Sequence, residues 1–562
     1  MSKIKILMSY VIIFTIILCG CSGSENDDKN NNNKNDNAYE KNSENSVVKE
    51  FEIDSSINEN YTNETYDSKA EKIDLKETIT ISNAGTYILS GDIENGQIIV
   101  NCNDSDKVRL VLDGVNVNCS NGSAINVVKG KTIITLAKGS KNTLADGTVY
   151  ANEDESACVY SKDDLCINGS GSLDVIGNYD AGIQCKDDLR IVNGDITVNS
   201  VGDGVKGKDS VVIANGKIEI KAGKDGIQST NTESEKGYVL IKGGEISVSC
   251  ASDGIKAESI VEINDGEIDI KECGEGIEAI YARINGGDIK IKASDDGVNV
   301  SDGSGVDAGG KFAGGNKGGF GNKQSASGVV PTLYINGGNL YIDANGDGID
   351  SNGAIYINGG TVKVDGPTSN GNGFFDCATA FEVKGGEIIG CGSGGMMEVP
   401  GDNSTQNTIV ITGIDGAAGD VIVIKDSGEK ELMKYEPAKA FQALVYSEEG
   451  VKNGETYKAY KNDEEIGSVT VSQVVNYIGE MNAGMQGGWF GGKDFEKEEG
   501  QMPPNMPEGE GQMPPNMPGW DGKTPPNMPE GEGQTPPDMP GDFFGGGKPQ
   551  RPNEIEEDDN SL

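Results

Sequence analysis

Residues 253–270 read DGIKAESIVEINDGEIDI, and residues 275–291 repeat the same pattern as EGIEAIYARINGGDIKI. Each segment places a glycine-containing turn between short stretches in which apolar residues alternate with polar ones, as with Ile268 and Ile270. Alternation with a period of two indicates a β-strand, and helical periodicity is absent. The two segments therefore predict short strands joined by a glycine turn.

The glycine turn recurs along the chain, and neighbouring copies are 21 or 22 residues apart except where insertions intervene. Its second glycine falls at Gly194, Gly216, Gly244, Gly266, Gly287, Gly338, Gly360 and Gly386. A repeat of this length without helices can bury its apolar residues only by stacking on its neighbours. Leucine-rich repeats have a similar period, but their L-x-x-L-x-L pattern is missing. We therefore predict an all-β fold, a right-handed parallel β-helix with about 22 residues per coil.

The N-terminus has the pattern of a targeting segment. An apolar run from Ile6 to Leu18 follows two lysines and is short for a membrane span. It ends in Leu18-Cys19-Gly20-Cys21, which resembles the lipobox of bacterial lipoproteins. We predict a signal peptide over residues 1–20, a lipid anchor on Cys21, and a location on the extracellular face of the bacterial cell membrane. An uncleaved signal anchor is the alternative.

Composition divides the rest of the chain into four regions. Residues 21–70 are rich in Asn, Asp, Glu, Ser and Lys, which predicts a disordered tether. Residues 71–400 carry the repeat, and residues 401–480 contain strand-like pieces that predict a small β domain capping the last coil. Residues 481–562 are Pro-, Gly- and Met-rich and acidic, and such a low-complexity tail cannot form a packed core.

Charge and residue usage exclude several classes of function. The formal net charge of −43 disfavours nucleic acid and anionic lipid headgroups and favours cations as partners. The chain contains no histidine, which excludes His-based catalytic triads and His-ligated zinc. The cysteines that follow the predicted anchor lack the spacing of a disulfide framework. We interpret them as small core residues with one possible surface thiol, in a monomeric protein.

An acidic residue followed by Gly and Ile or Val recurs in the repeats, as in GDGV at 202–205 and GDGI at 346–349. If the coils stack in register, these acidic residues form a column with neighbours about 4.8 Å apart. The column would contain Asp203, Asp225, Asp253, Glu275, Asp296 and Asp347, with Asp180 in DAGI as an earlier relative. Two unit charges at that spacing repel by about 1 kcal/mol in water and by about 3–4 kcal/mol at a dielectric near 20. The column therefore calls for counter-charge.

Calcium suits such a column because it accepts six to eight oxygen ligands, including carboxylates and turn carbonyls. The strongest candidates are the adjacent pair Asp295 and Asp296, and the pair Asp347 and Asp350 within GDGID. We predict Ca²⁺ at some of these corners. The alternative is that Asp and Gly are simply good turn formers, with the charges solvated or paired to lysines such as Lys206 and Lys256.

Alternation also points a second set of residues outward, on the strands that flank the glycine turn. Before the turn these are Arg283, Tyr334 and Tyr356, and after it they are Lys290, Tyr341 and Lys363. Aromatic faces beside cations can stack on sugar rings and hold uronic carboxylates by charge-assisted hydrogen bonds. We predict that these six residues bind carbohydrate. The alternative is that the tyrosines only shield exposed strands.

Two insertions interrupt the repeat, at 230–237 and at 301–328. Both leave the coil a few residues after the acidic-Gly motif, so we expect them to project from the same edge. Such loops often roof a functional surface on a repeat protein, although they are as readily explained as tolerated insertions.

Three segments carry a family resemblance. They are DGIKAESIVEINDGEIDI, GGKFAGGNKGGFGNKQ at 309–324, and GDGIDSNGAIYINGGTVKVDGPTSNGNGFFD at 346–376. These resemble the carbohydrate-binding parallel β-helix domain of clostridial surface lipoproteins, which is similar in fold to pectate lyases. The resemblance covers roughly residues 70 to 475. It implies calcium in the helix and binding of cellulose or acidic, pectin-like sugars without lyase activity.

Three functions are compatible with these features. The leading hypothesis is a lipid-anchored, non-catalytic polysaccharide-binding protein stabilised by calcium. A rival is a calcium-dependent polysaccharide lyase, in which Lys206, Lys256, Lys290 or Arg283 would remove a proton α to a uronate carboxyl. A third is a structural or adhesive surface protein with no sugar ligand.

Overall fold

The repeat folds into a parallel β-solenoid in a computed structural model that describes residues 50–53, 63–67, 70–152, 154–303 and 329–479. All regular elements in these ranges are β-strands, so they contain no helix long and apolar enough to cross a membrane. The predicted signal peptide with Cys21, most of the predicted tether and the predicted tail lie outside the described residues.

The strands of the solenoid are short because each coil turns a corner after three to nine residues in most cases. In chain order they are β1 (Glu71–Leu75), β2 (Ile79–Ile81), β3 (Gly85–Ile93), β4 (Ile98–Asn101), β5 (Lys107–Asn118), β6 (Ile125–Lys129), β7 (Lys131–Leu136), β8 (Lys141–Ala145), β9 (Ala157–Ser161), β10 (Leu165–Gly169), β11 (Ser172–Gly177), β12 (Ala181–Cys185), β13 (Asp188–Ile191), β14 (Asp195–Ser200), β15 (Val205–Gly207), β16 (Ser210–Ile213), β17 (Lys217–Ala222), β18 (Ile227–Ser229), β19 (Tyr238–Ile241), β20 (Glu245–Cys250), β21 (Ile255–Ala257), β22 (Ile260–Ile263), β23 (Glu267–Cys273), β24 (Ile277–Ala279), β25 (Tyr281–Ile284), β26 (Asp288–Ala293), β27 (Val298–Val300), β28 (Thr332–Ile335), β29 (Asn339–Ala344), β30 (Ile349–Ser351), β31 (Ala354–Ile357), β32 (Thr361–Asp365), β33 (Phe375–Cys377), β34 (Ala380–Val383) and β35 (Glu387–Gly392).

Equivalent strands of successive coils pair in parallel and form three ladders. The first ladder holds the strands before the glycine turn, such as β16, β19 and β22, and the second holds those after it, such as β17, β20 and β23. The third ladder follows the acidic-Gly motif and is a separate sheet of 12 strands from β2 to β33. The solenoid therefore has about 12 turns, and the predicted parallel β-helix is confirmed.

The core is a stack of similar layers. On the second ladder Ile218 pairs with Ile246 and Ile220 with Val248, and all four side chains are buried. Full burial of such a side chain contributes about 1.5–3 kcal/mol, so each coil is stabilised by the coils above and below it. The nine cysteines of the described residues are buried, as expected for core residues, and none of them is the suggested surface thiol.

The glycine turn brings adjacent coils unusually close. Gly287 has a φ of +93°, and a Cβ there would lie 2.9 Å from the carbonyl oxygen of Gly266 in the preceding coil. The asparagine of the turn forms a ladder, because the side-chain amide of Asn285 donates to Asn264 and that of Asn336 donates to Asn285, each at 2.7 Å. This amide ladder locks the corner between the first and second ladders.

A C-terminal cap follows the last coil. Its strands are β36 (Thr408–Gly416), β37 (Ile422–Asp426), β38 (Glu431–Tyr435), β39 (Phe441–Ser447), β40 (Thr456–Lys461), β41 (Glu464–Thr470) and β42 (Val475–Ile478). Strand β39 pairs antiparallel with β35, and β37, β38, β40 and β41 form a separate four-stranded sheet. The cap thus covers the edge of the second ladder that would otherwise be open to strand addition.

Both insertions leave the solenoid at the same place. The first follows β18 and the second follows β27, and these are third-ladder strands whose equivalent residues stack in register. Their attachment points therefore lie on one edge, as the sequence predicts. Residues 304–328 of the second insertion lie outside the described part of the chain.

Candidate functional site

The third ladder aligns the predicted acidic residues in one column. The residues two positions after them are register partners from β15 to β30, so the acidic residues themselves lie one above another. The column, from the N-terminal end, is Asp203, Asp225, Asp253, Glu275, Asp296 and Asp347. Backbone amides join its members, because the amide of Asp225 donates to Asp203 and that of Asp253 donates to Asp225.

Two of the predicted metal ligands lie one residue away from this column. Ile183 pairs with Val205, which places Asp180 level with Gly202 rather than with Asp203. Asp295 is likewise level with Gly346. The carboxylate of Asp180 is 2.8 Å from the Nζ atom of Lys224 and is neutralised there.

A second column runs beside the acidic one, three residues later in each coil. Its members are Lys206, Gln228, Lys256, Glu278, Asn299 and Asp350. The two columns together form what we call the acidic strip. Its charge changes along the solenoid, because the lysines lie in the earlier coils and carboxylates occupy the same position in later ones.

In the earlier coils the strip is neutralised by lysine. Lys206 lies 2.7 Å from Asp203, and Lys256 lies 2.7 Å from Asp253 while also bonding Glu278. The interpretation in which lysines pair with the turn carboxylates therefore applies to Asp203 and Asp253. Desolvation by burial raises the pKa of Asp225 and that of Asp253.

In the later coils carboxylates accumulate. Carboxylate oxygens of Asp296, Asp347 and Asp350 lie within 4.8 Å of one another. Among the described residues, no Lys or Arg forms an ion pair with Asp296 or Asp347. The backbone also approaches closely here, because a Cβ on Gly346 would lie 2.3 Å from Asp296 and 2.5 Å from Asp295.

The electrostatic consequence is a set of carboxyls that resist ionisation. Burial, together with repulsion from neighbouring carboxylates, raises the pKa of Glu275 to about 7, that of Asp296 to about 6 and that of Asp347 to about 7. Burial is the largest cause for all three residues. A bound cation would reverse both effects, because it favours the ionised carboxylate.

The group formed by Asp296, Asp347 and Asp350 fits a hard cation such as Ca²⁺. All three donors are carboxylate oxygens, which calcium prefers. Next to them, the Oδ1 atom of Asn299 is buried and has no hydrogen-bond partner among the described residues, while its amide donates to Glu275. An unpaired oxygen beside carboxylates is unfavourable without a positive charge. The group of Asp253, Glu275 and Glu278 fits less well, because Lys256 already occupies it.

A third acidic group was not predicted from the sequence. Asp163, Asp164 and Asp187 lie together between the third and first ladders, where Lys131 pairs with Asp164 at 2.5 Å. The signal for it was the recurrence of K-D-D-L at 162–165 and 186–189.

The first ladder carries an aromatic pair on its outer face. Tyr334 and Tyr356 are register partners, and their rings are stacked with centroids 5.4 Å apart and planes 18° apart. The Nζ atom of Lys384 lies 5.4 Å from the centroid of Tyr356 and 3.0 Å from a carboxylate oxygen of Glu382, with which it forms an ion pair. We call Tyr334, Tyr356 and Lys384 the tyrosine platform. Lys384 was missed because it occupies the turn position of a later repeat, VKGG, where most other repeats have Asn.

Arg283 lies one coil before the platform, level with Tyr334. Its guanidinium is nearly buried, 3.1 Å from Glu262 and 2.8 Å from Glu50, and it also donates to the carbonyl oxygen of Phe51 at 3.1 Å. Glu50 and Phe51 come from the region predicted as a tether. The predicted sugar-binding guanidinium is thus already engaged by the chain itself.

The remaining predicted sugar ligands lie on the second ladder, on a different face. Lys290, Tyr341 and Lys363 are register partners there. The hydroxyl of Tyr341 donates to Asp365 at 2.8 Å, in a network with the cap residue Tyr435. Lys290 is exposed, and Lys363 is 3.8 Å from Glu387. The structure therefore does not bring the six predicted residues together on one surface.

Comparison with known proteins assigns the solenoid to a family. Residues 76–318 and 282–431 match the family described as "Carbohydrate-binding domain-containing protein". The two segments overlap and together span more than half of the chain. The chain belongs to this family. The family resemblance noted in the sequence is thereby confirmed, and the matched region extends across the solenoid and into the cap.

One relative and one solved structure are similar to parts of this chain. A carbohydrate-binding domain-containing protein of Acetivibrio thermocellus is 38% identical over 128 residues, which are 22% of this chain and 45% of the relative. The chain thus spans less than half the length of that relative. A solved structure, described as the polysaccharide lyase-like protein from C. thermocellum in a gadolinium derivative, is 34% identical with a TM-score of 0.34. That alignment covers 42% of this chain and 92% of the solved chain.

Proposed function

We propose that this protein is a non-catalytic polysaccharide-binding protein, held by a lipid on Cys21 at the extracellular face of the bacterial membrane and stabilised by calcium. The observation that carries the binding proposal is the tyrosine platform. Two stacked rings on an outward strand face offer apolar ring edges and outer ring faces, and Lys384, which is paired with Glu382, lies 5.4 Å from the centroid of Tyr356. Sugar rings stack on such surfaces, and the cation adds affinity for acidic groups.

The platform accommodates two kinds of glycan. A neutral chain such as cellulose would use the aromatic faces alone, whereas a pectin-like chain would also place a carboxylate near Lys384. The net charge of −43 opposes binding of a polyanion at long range, so an acidic glycan needs cations near the contact. We therefore propose cellulose or an acidic pectin-like polysaccharide as the ligand class, with binding of the acidic glycans dependent on salt and calcium.

Calcium would be held by Asp296, Asp347 and Asp350, whose oxygens lie within 4.8 Å of one another. Among the described residues, no Lys or Arg forms an ion pair with Asp296 or Asp347. The ion would supply the positive charge that this part of the acidic strip lacks. These carboxylates come from adjacent coils, so their common ion would hold those coils in register. The role proposed for calcium is therefore structural.

The state of three of the four candidate bases, all except the exposed Lys290, supports a non-catalytic role. Lys206 is paired with Asp203, and Lys256 is held between Asp253 and Glu278. Burial alone would lower the pKa of Lys256, but its two carboxylate partners raise it above its ordinary value, and the ammonium keeps its proton. Arg283 is ion-paired on two sides. A lyase base must instead be unprotonated near neutral pH.

The experiment is a retention assay of the full-length protein on cellulose, pectate and bacterial wall glycans, each with and without a chelator. Retention that falls when Tyr334 and Tyr356 are replaced by Ala supports the proposal. No retention on any glycan contradicts it and favours a structural or adhesive role. Release of unsaturated uronides from polygalacturonate, followed by ultraviolet absorbance, would establish the lyase instead.

Metabolic labelling with a radioactive fatty acid, compared with a Cys21→Ala variant, tests the anchor.

A further inference from the structure

The chain lays a short N-terminal segment, Glu50–Ile53, on the outer face of the first ladder. It reaches the coil immediately before the tyrosine platform, where Glu50 is 2.8 Å from Arg283. Arg283 and Tyr334 are register partners in adjacent coils, so Glu50 meets the guanidinium beside the first ring of the platform. Glu50 therefore lies beside the start of the aromatic surface.

Apolar contacts hold the segment in place. Phe51 meets Tyr238 edge-on, with centroids 5.9 Å apart. Phe51 and Ile53 also pack against a cluster formed by Ile260, Tyr281 and Val329. These contacts are side-chain packing on a surface, and no strand pairing joins residues 50–53 to the first ladder. Such a segment can detach without opening the solenoid itself.

The charges at this point are unbalanced. One guanidinium faces two carboxylates, those of Glu262 and Glu50, so the group carries a net negative charge when both acids are ionised. The two acids differ in exposure, because 12% of the Glu262 side chain is exposed and 36% of the Glu50 side chain is exposed. Glu262 is thus the buried, permanent partner, and Glu50 is the partner at the solvent-facing rim.

We propose that Arg283 is a carboxylate subsite at one end of the tyrosine platform and that Glu50 fills it as an internal substitute for a uronic acid. A polysaccharide carboxylate would displace Glu50 and take its place on the guanidinium, with the sugar ring continuing onto Tyr334. Lys384, which is ion-paired with Glu382 at 3.0 Å, then lies at the opposite end of the tyrosine pair. This inference rests on the proposed function and assigns its ligand to acidic glycans.

The subsite favours carboxylates for a geometric reason. A guanidinium presents several N–H donors in a fixed plane that matches the two oxygens of a carboxylate, and a neutral hydroxyl cannot replace that pairing. While Glu50 is bound, the excess negative charge repels a uronate. An acidic glycan must therefore displace Glu50 before it can bind Arg283, which lowers its affinity. Contact of a neutral glycan with Tyr334 and Tyr356 is unaffected.

The test compares the full-length protein with Glu50→Gln, Phe51→Ser and Glu64→Gln variants. Glu64 belongs to the same N-terminal region but contacts Asn193, several coils from Arg283, and serves as the matched control. Calorimetric titration with oligogalacturonate and with cello-oligosaccharide gives the affinities. Hydrogen exchange of the peptide containing residues 50–53, with and without oligogalacturonate, reports directly on release of the segment.

Loss of the Glu50 charge replaces a charge-assisted hydrogen bond by a neutral one, so we expect oligogalacturonate to bind about fivefold more tightly to Glu50→Gln. Phe51→Ser should act in the same direction by loosening the apolar contacts. Glu64→Gln should match the wild type, and cello-oligosaccharide affinity should not change. Oligogalacturonate should speed exchange of residues 50–53 in the wild type.

The outcomes separate the two proposals. If oligogalacturonate binds the wild type and Glu50→Gln equally and leaves exchange of residues 50–53 unchanged, the inference is overturned while polysaccharide binding stands. Binding of cello-oligosaccharide alone by every variant likewise overturns the inference and leaves polysaccharide binding intact. If neither sugar binds the wild type, Glu50→Gln or Phe51→Ser, the proposed function fails, and the inference fails with it.

Discussion

The rings of Tyr334 and Tyr356 lie 5.4 Å apart and nearly parallel on adjacent strands of the first ladder. Truncating an aromatic residue at the centre of a binding surface commonly costs more than about 1 kcal/mol. We expect Tyr334→Ala to weaken binding of the retained glycan about tenfold, because it removes one of the two rings of the platform. Affinity electrophoresis in gels containing that glycan measures the change.

Tyr341→Phe is the matched control for this experiment. Tyr341 is an outward tyrosine of the same solenoid, but its hydroxyl is bonded to Asp365 beneath the cap. We expect the variant to lose stability and keep its glycan affinity. A larger loss of binding in Tyr341→Phe than in Tyr334→Ala would place the binding surface on the second ladder.

Removal of calcium should destabilise the solenoid. A ligand present at about 100 times its dissociation constant stabilises the folded state by about 2.7 kcal/mol, so a chelator should lower the melting temperature by several degrees. Asp347→Asn should abolish this sensitivity, because it removes one of three clustered carboxylates. Differential scanning calorimetry with calcium and with chelator measures both effects.

Asp203→Asn is the control for Asp347→Asn, because it removes an acidic residue of the column that does not belong to the proposed calcium site of Asp296, Asp347 and Asp350. Asp203 is buried and paired with Lys206 at 2.7 Å, so this variant should be less stable in all conditions. Its response to the chelator should nonetheless equal that of the wild type. An unchanged chelator response in Asp347→Asn would contradict the proposed site.

Attachment of the cap depends on one buried carboxylate. Asp365 accepts hydrogen bonds from Tyr341 at 2.8 Å, from Tyr435 at 2.9 Å and from the amide of Ala438 at 3.2 Å. Asp365→Ala leaves these donors unpaired, and we expect it to lower the free energy of unfolding by about 3 kcal/mol. Hydrogen exchange should show faster opening of β37 and β38 than of the central coils. Asp402→Ala, on the exposed surface, should show neither effect.

The acidic group between the third and first ladders predicts a pH effect. Burial, and then repulsion from Asp164, Asp188 and Asp209, raises the pKa of Asp187 to about 6. The unfolded chain therefore loses this proton at lower pH than the folded chain does, and stability declines as pH rises from about 4 to about 6.

Asp187→Asn removes that cost. We expect the variant to gain about 1 kcal/mol at about pH 8 and almost nothing at about pH 3.5, after allowing for partial solvent exposure. Thermal unfolding at the two pH values measures this. Asp174→Asn, an exposed position on the second ladder, serves as the control. An equal gain at both pH values would contradict the assignment of the effect to ionisation.

The sequence was sufficient for the solenoid because its evidence is local and repeated. The spacing of Gly266 and Gly287 and the alternation at Ile268 and Ile270 describe one coil, and each coil pairs only with its neighbours. The column from Asp203 to Asp347 follows from that register alone. A shift of one residue along a strand is enough to move a side chain out of the column. Asp180 lies one residue before the position of the column and therefore falls outside it.

The sequence was insufficient where distant parts of the chain meet. Tyr341 is bonded through Asp365 to Tyr435 of the cap, and Arg283 is bonded to Glu50 from the N-terminal region. No periodic pattern connects these residues, so outward orientation alone does not show that a side chain is available to a ligand. The metal-site and sugar-site assignments stay predictions.

The pairing of Ile218 with Ile246 joins two coils between which the chain carries the extra residues 230–237. The insertion leaves the stacking of the second ladder unchanged, because it leaves the coil at the end of a third-ladder strand. The length of a surface loop in this architecture is therefore independent of the stacking of the solenoid coils. Mutation can change the contact surface by lengthening one loop at a time. Duplication of a whole coil would lengthen the solenoid without disturbing its first coil or its C-terminal cap.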